Sequence, residues 1–180
     1  MKVLILGNGF ELDYGFETRY IDFVNSKEWQ ALYINNSSLC EYPDNLATFL
    51  YNETRSPYWC SLESSLAEYV NIKHHARDYR FVKEDHEFFN ALVEALENFL
   101  QTAYYTEKTD SLAHLFISKL IRPNLLDKIF TFNYYPSFLY NSMNLEQSLN
   151  VEYVHNMWGE HIIVGVNEPC ISEYSFLCKV

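Results

Sequence analysis

The sequence predicts an α/β fold with a mainly parallel sheet and a large helical insertion, in a single domain over residues 1–180. Three observations carry that expectation. Val3-Leu4-Ile5-Leu6 is a short apolar run closed by Gly7-Asn8-Gly9, which reads as a fully buried strand feeding a tight turn. Strand-like runs return only after Pro123. Between these two regions apolar residues recur at helical spacing, so residues 18–122 read as a helical layer or subdomain inserted after the first strand.

Taken in order, Thr18 stands where it would cap a helix through Tyr20, Phe23, Val24, Trp29 and Leu32, ending in Asn35-Asn36-Ser37-Ser38. Residues 36–57 are irregular, with Pro43 and Pro57 as breakers, and Leu46, Phe49 and Leu50 suggest one short helix there. Ser61 opens a clearer one carrying Leu62, Leu66, Tyr69 and Val70. From Glu84 to Tyr105, the residues Phe88, Leu92, Ala95, Leu96 and Phe99 share a face. Asp110 is placed to cap a further helix with Leu112, Leu115, Phe116 and Ile117 inward, broken by Pro123. Three strands then follow: Lys128-Ile129-Phe130-Thr131-Phe132 leads into Asn133, Val151-Glu152-Tyr153-Val154 into His155, and Ile162-Ile163-Val164 into Gly165. Ligands of open α/β sheets bind outside the carboxyl ends of the strands, so Gly7-Asn8-Gly9, Asn133 and His155 are expected to meet at one edge.

Composition removes several function classes. With 24 acids against 13 bases, a net charge of -11 and no dense Lys/Arg cluster, the chain lacks the phosphate-neutralising surface of a nucleic-acid binder. A small anionic ligand stays open, because backbone N–H groups can hold phosphate without basic side chains. Cys40, Cys60, Cys170 and Cys178 form no CxxC pair, and His74-His75, His86 and His161 have no ligand spacing, so neither disulfides nor a metal are expected. The N-terminal apolar run stops at Gly7, too short for a secretory signal, and no window reaches the roughly 18 apolar residues of a spanning helix. A cytoplasmic protein with no membrane contact is the expectation.

Gly7-Asn8-Gly9-Phe10-Glu11-Leu12 has the first two glycines of a dinucleotide fingerprint, with Leu12 at the place of the third. No strand with a terminal acid follows about 20 residues on, which disfavours a conventional dehydrogenase. Phosphate binding and an ordinary strand-to-helix turn remain equal readings of these glycines. The Asn133 carboxamide offers a donor and an acceptor together, suited to a sugar hydroxyl and a water, or simply to a turn. His155 can take or give a proton near neutrality, or can be structural.

The opening Leu4-Ile5-Leu6-Gly7-Asn8-Gly9-Phe10-Glu11-Leu12, with Gly15 and Tyr20-Ile21-Asp22-Phe23, resembles the start of the abortive-infection AbiH family of bacterial phage-defence proteins. Trp59-x-x-Leu62-Glu63 matches that family's tryptophan-to-glutamate signature. Thr131-Phe132-Asn133-Tyr134, and the stretch from Tyr153-Val154-His155 to Ile162-Ile163-Val164-Gly165, are similar to its two later motifs. The pattern is similar in turn to sirtuin-like domains, whose Gly-rich loop, Thr-x-Asn segment and His-Gly pair line an NAD pocket. This resemblance implies a Rossmann-like (sirtuin-like) sheet and an NAD hydrolase that releases nicotinamide. It implies Gly7, Asn8, Gly9, Phe10 and Thr131 around the cofactor, Asn133 positioning ribose and water, His155 as base and Glu11 as a carboxylate near the ribose.

The chain also departs from the family pattern. Glu11 stands where Asp is usual, Asn156 replaces the glycine after the histidine, and Tyr135-Pro136 replaces small polar residues. Asn156 motivates an alternative, a non-catalytic sensor of a nucleotide or a phage protein. A structural interaction protein, sticky through its 15 tyrosines and 13 phenylalanines, ranks last. The associations this reading admits are a small nucleotide ligand, a phage-protein trigger and a homo-oligomer.

Overall fold

The computed structural model describes residues 2–59, 61–102, 110–113, 115–116, 127–132, 150–154, 164 and 172–177. The chain divides into two compact units, Met1–Arg19 with Leu100–Ile162, and Tyr20–Phe99 with Ile163–Val180. The fold is mixed α/β: a three-stranded parallel sheet, with helices making up most of the rest.

The first unit holds the sheet, in the order β1 (Val3–Leu6), β2 (Lys128–Thr131), β3 (Asn150–Tyr153). Both neighbouring pairs are parallel. Side chains alternate across a strand, so Leu4, Leu6, Ile129 and Val151 point to one face. There they join Tyr14, Phe16, Ala113 and Phe10 in a single core cluster. β1 is not the fully buried strand its apolar run suggests, because Ile5 is 67% exposed and Val3 is exposed too. Among the described residues β1 ends the strand order and packs on its core face alone, so the period of two decides which of its residues are covered.

Gly7 caps helix α1 (Asn8–Tyr14), which stops at Gly15. The φ of 122° at Gly15 lies where side chains are rarely tolerated, which is why a glycine ends this helix. Leu112–Ala113 and Leu115–Phe116 are also helical. The first turn there is closed from afar: the Ala113 N–H donates to Asp13 Oδ2 at 2.7 Å, and Asp13, a hundred residues earlier, does the work expected of Asp110. That anchor turns Ala113 inward and leaves Leu112 77% exposed, against the inward placement its spacing suggested. Leu115 is exposed as well, Phe116 meets the Phe10 ring edge-on at 6.3 Å, and Ile117 lies outside the described residues.

The second unit is helical: α2 (Tyr20–Val24), α3 (Lys27–Asn35), α4 (Leu46–Glu53), α5 (Leu62–Ala76) and α6 (Val82–Thr102) as far as Phe99. The single helix expected from Tyr20 to Leu32 is two. Ser26 breaks it with extended backbone and caps α3, its hydroxyl accepting the Trp29 N–H at 3.2 Å. Asn45 caps α4 through the Thr48 N–H, and Ser61 caps α5 through the Ser64 N–H. Each cap contributes about 1 kcal/mol by satisfying a first-turn donor. Phe23, Leu32, Leu46, Leu50, Leu62, Leu66, Phe88, Leu92 and Leu96 are buried. α6 starts two residues before the expected Glu84, and residues 103–105 lie outside the described residues. Of the strand expected at 162–164, only Val164 is described, buried and without strand geometry. No helix among the described residues is long and apolar enough to cross a membrane.

Candidate functional site

The register of the sheet brings distant segments to one edge. Leu6, Thr131 and Tyr153 stand level as the last residues of their strands. The ladder runs one step further, with the Phe132 N–H donating to the Leu6 carbonyl and the Val154 N–H to the Thr131 carbonyl, each at 2.9 Å. At about 4.8 Å between neighbouring strands, the three chain exits lie within roughly 10 Å of one another. Asn133 and His155 are the next residues after Phe132 and Val154, and both lie outside the described residues, as do Tyr134, Tyr135, Pro136, Asn156, His161 and Gly165.

At the first exit the chain turns directly from β1 into α1. Gly7 has φ −103° and ψ 172°, an extended conformation open to any residue, and its carbonyl accepts the Phe10 N–H at 2.9 Å. Asn8 opens the helix and Gly9 sits in its first turn. A Cβ built on Gly7 or on Gly9 would meet no heavy atom within 4 Å among the described residues, and neither has a positive φ. The turn itself therefore does not require these two glycines. Their bare backbone leaves room beside the start of α1 among the described residues.

The other side chains read as site residues are placed differently. Phe10 is half-buried and packs with the core cluster. Thr131 is fully buried at the end of β2. Glu11 is 1% exposed, and its Oε2 accepts the Thr18 hydroxyl at 3.2 Å. Its carbonyl accepts the Gly15 and Phe16 N–H groups, both at 3.0 Å, so the chain after α1 folds back over it. Thr18, the residue expected to cap the following helix, donates its hydroxyl to Glu11.

The second unit contains a buried carboxylate that the motif reading missed. Asp85 has no exposed surface; its Oδ1 accepts the Leu46 N–H at 2.7 Å, and its Oδ2 accepts the Tyr69 hydroxyl at 2.6 Å and the Tyr174 hydroxyl at 2.9 Å. Burial pushes the Asp85 carboxyl up against the pull of these three hydrogen bonds. Burial likewise raises both tyrosines, and the neighbouring carboxylate adds to it. Nearby in sequence, the buried Lys73 ammonium sits 3.0 Å from Asp78 and over the Tyr69 and Phe81 rings. Hydrogen bonds from Arg80 and then Lys73 hold Asp78 well below the usual carboxylate range. A signal for both charges was present: Asp85 lies three and four residues before Phe88 and Phe89 on the apolar stripe of α6, and Lys73 lies four after Tyr69 on that of α5.

The tryptophan-to-glutamate stretch forms a local clasp in the same unit. The Trp59 indole N–H donates to Ser65 Oγ at 2.9 Å, Leu62 is fully buried, and Glu63 accepts the Ser61 hydroxyl. Cys40 is a free thiol, and Cys60, Cys170 and Cys178 lie outside the described residues. Among the described residues no group of three or more His, Cys, Asp or Glu side chains could hold a metal ion.

Compared with protein-family models, the chain matches that of the bacteriophage abortive infection AbiH proteins over residues 3–175. Comparison with curated proteins and with solved structures gives no match.

Proposed function

From the premise that this chain belongs to the bacteriophage abortive infection AbiH family, we propose that it defends against phage by binding NAD in a Rossmann-like, sirtuin-like site and hydrolysing it to release nicotinamide. The family points to abortive-infection defence; the chemistry is what the resemblance of the motifs to sirtuin-like domains implies. One observation carries the nucleotide reading. Gly9 costs helix α1 about 0.5–1 kcal/mol relative to alanine, yet neither backbone angle nor packing within the described residues calls for it. A ligand backbone-close at the carboxyl edge of the sheet supplies the missing reason, and phosphate suits the N–H groups exposed there.

The reaction breaks the bond between ribose C1′ and the nicotinamide nitrogen, and the electron pair leaves with a neutral nicotinamide. Positive charge develops on the ribose, so catalysis rests on stabilising an oxocarbenium-like state. In this reading Glu11 supplies fixed negative charge, Asn133 holds a ribose hydroxyl and the attacking water, and His155 accepts the proton as the water oxygen bonds to C1′. A general base contributes about 10²–10⁴ in rate, so His155→Ala should lower nicotinamide release by that factor with an unchanged melting temperature. Release at the wild-type rate in this variant removes His155 from the mechanism.

A second reading, a non-catalytic sensor of a nucleotide or a phage protein, is favoured by Asn156 in place of glycine and by the full burial of Thr131. Calorimetry with NAD and with ADP-ribose beside the release assay separates the two. Binding without release supports the sensor.

A further inference from the structure

One step past the strand ends, Gly7, Phe132 and Val154 stand level across the sheet, held in register by the hydrogen bonds from the Phe132 and Val154 N–H groups. Side chains alternate along a strand, so this row faces away from the core that Leu6 enters in the row before. Phe132 is 45% exposed and Val154 40%, whereas Leu6 and Thr131 are buried. Gly7 leaves a gap in the row: its backbone is extended, and a Cβ built on it meets no heavy atom within 4 Å among the described residues. An exposed aromatic ring therefore stands on the central strand at the carboxyl edge, about 4.8 Å, one strand spacing, from the turn that opens α1. Phe10 and Tyr14 of α1 pack with the core on the opposite face. A ligand that reaches both the start of α1 and the Phe132 ring must cross the edge over Gly7, the one member of the row with no side chain.

We propose that Phe132 is a ligand-contact residue on which a heterocyclic ring of the bound nucleotide stacks, with Gly7 as the gap through which the sugar–phosphate part crosses the sheet edge. The inference rests on the nucleotide reading above and adds a ring subsite to it. Heterocycles stack on aromatic side chains whatever their hydrogen-bonding pattern, because each has a π face. NAD carries two such rings, adenine and nicotinamide, and its two halves tell them apart.

The test is calorimetric titration of NAD, ADP-ribose and nicotinamide mononucleotide into the wild type, Phe132→Leu and Phe132→Tyr, with melting curves to confirm folding. Leucine keeps apolar bulk and removes the ring face, so Phe132→Leu should weaken NAD about tenfold, within the range of base–aromatic stacking. Phe132→Tyr keeps the ring and should bind NAD within about twofold of the wild type. The half-molecule that weakens alongside NAD identifies the stacked ring, and the other half should stay within about twofold. Phe132→Gln is the second ring-free variant should leucine fail to fold. NAD binding unchanged in the ring-free variants, or equal weakening of both halves, overturns the stacking while leaving nucleotide binding intact. A wild type that binds none of the three ligands overturns the nucleotide reading and this inference with it, an outcome distinct from the other two.

Discussion

Asp85 and Glu11 are both carboxylates with almost no exposed surface, one in each unit. Asp85 gathers donors from the start of α4, from α5 and from the segment Ser172–Leu177, at sequence separations of 39, 16 and 89 residues. Among the described residues Glu11 is met by Thr18, seven residues on in the same stretch of chain, and none comes within 4 Å of a Cβ built on Gly7 or Gly9. A buried charge whose partners come from far apart ties those segments together, and its loss is felt as stability. In the reading proposed above, Glu11 is a working group, and its loss is felt as function. This contrast separates a staple in the helical unit from a candidate working group in the sheet unit.

The largest expected effect breaks the staple. Asp85→Ala strands a backbone N–H and two tyrosine hydroxyls in the core, so it should cost about 3–5 kcal/mol. For a chain of this size the melting temperature should fall by roughly 10 °C or more. A loss below about 1 kcal/mol in urea denaturation would show that the three hydrogen bonds are not what holds these segments together.

A subtler test sets Asp85 against Asp78 within the same unit, because their carboxyls are displaced in opposite directions. Arg80 and Lys73 hold Asp78 low, so its stabilisation is present above its unfolded-state value of about 3.9 and is lost as pH falls through the lower folded value. Burial holds Asp85 high, so its protonation favours the folded state below about 3.9, and that advantage is lost as pH rises through the raised folded value. Denaturation measured across pH should therefore show Asp78→Asn flattening the acid loss of stability. The gap between Asp85→Asn and the wild type should change with pH in the opposite sense, and parallel slopes in the two variants would contradict the assignment.

The smallest effect sharpens the other side of the contrast. Gly9→Ala should stabilise the fold by about 0.5–1 kcal/mol, since the new methyl meets none of the described residues and the unfolded chain loses freedom. The same methyl should weaken NAD binding if the space beside α1 is kept for a ligand. Gain in melting temperature with undiminished binding would return Gly9 to an ordinary helix residue.

Much of the framework was legible in residue order. The runs 3–6, 128–132 and 151–154 announced strands to within one residue of those observed, and Ser61 and the stripe from Phe88 to Phe99 marked two long helices, because these signals act between residues close in sequence. Illegible were the features set by partners far away. One miss is local: Ser26 splits the helix expected from Tyr20 to Leu32, its extended backbone ending one and its hydroxyl capping the next. Leu112 faces outward because Asp13 fixes the turn it belongs to. Ile5 is bare because only one face of β1 packs on the core. Of the candidate site, the glycine turn and the alignment of strand ends could be anticipated from the motifs, whereas the burial of Glu11 and Thr131 could not.

By itself the sequence determined the alternation of strand and helix, the Ser61 cap and the AbiH motifs, all of which depend on spacings of one to four residues or on short ordered strings. Tertiary structure alone decided which charges are buried and who satisfies them. A carboxylate withdrawn from water must find donors wherever the folded chain brings them, and Leu46, Tyr69 and Tyr174 become one site only after three separate segments have packed around Asp85.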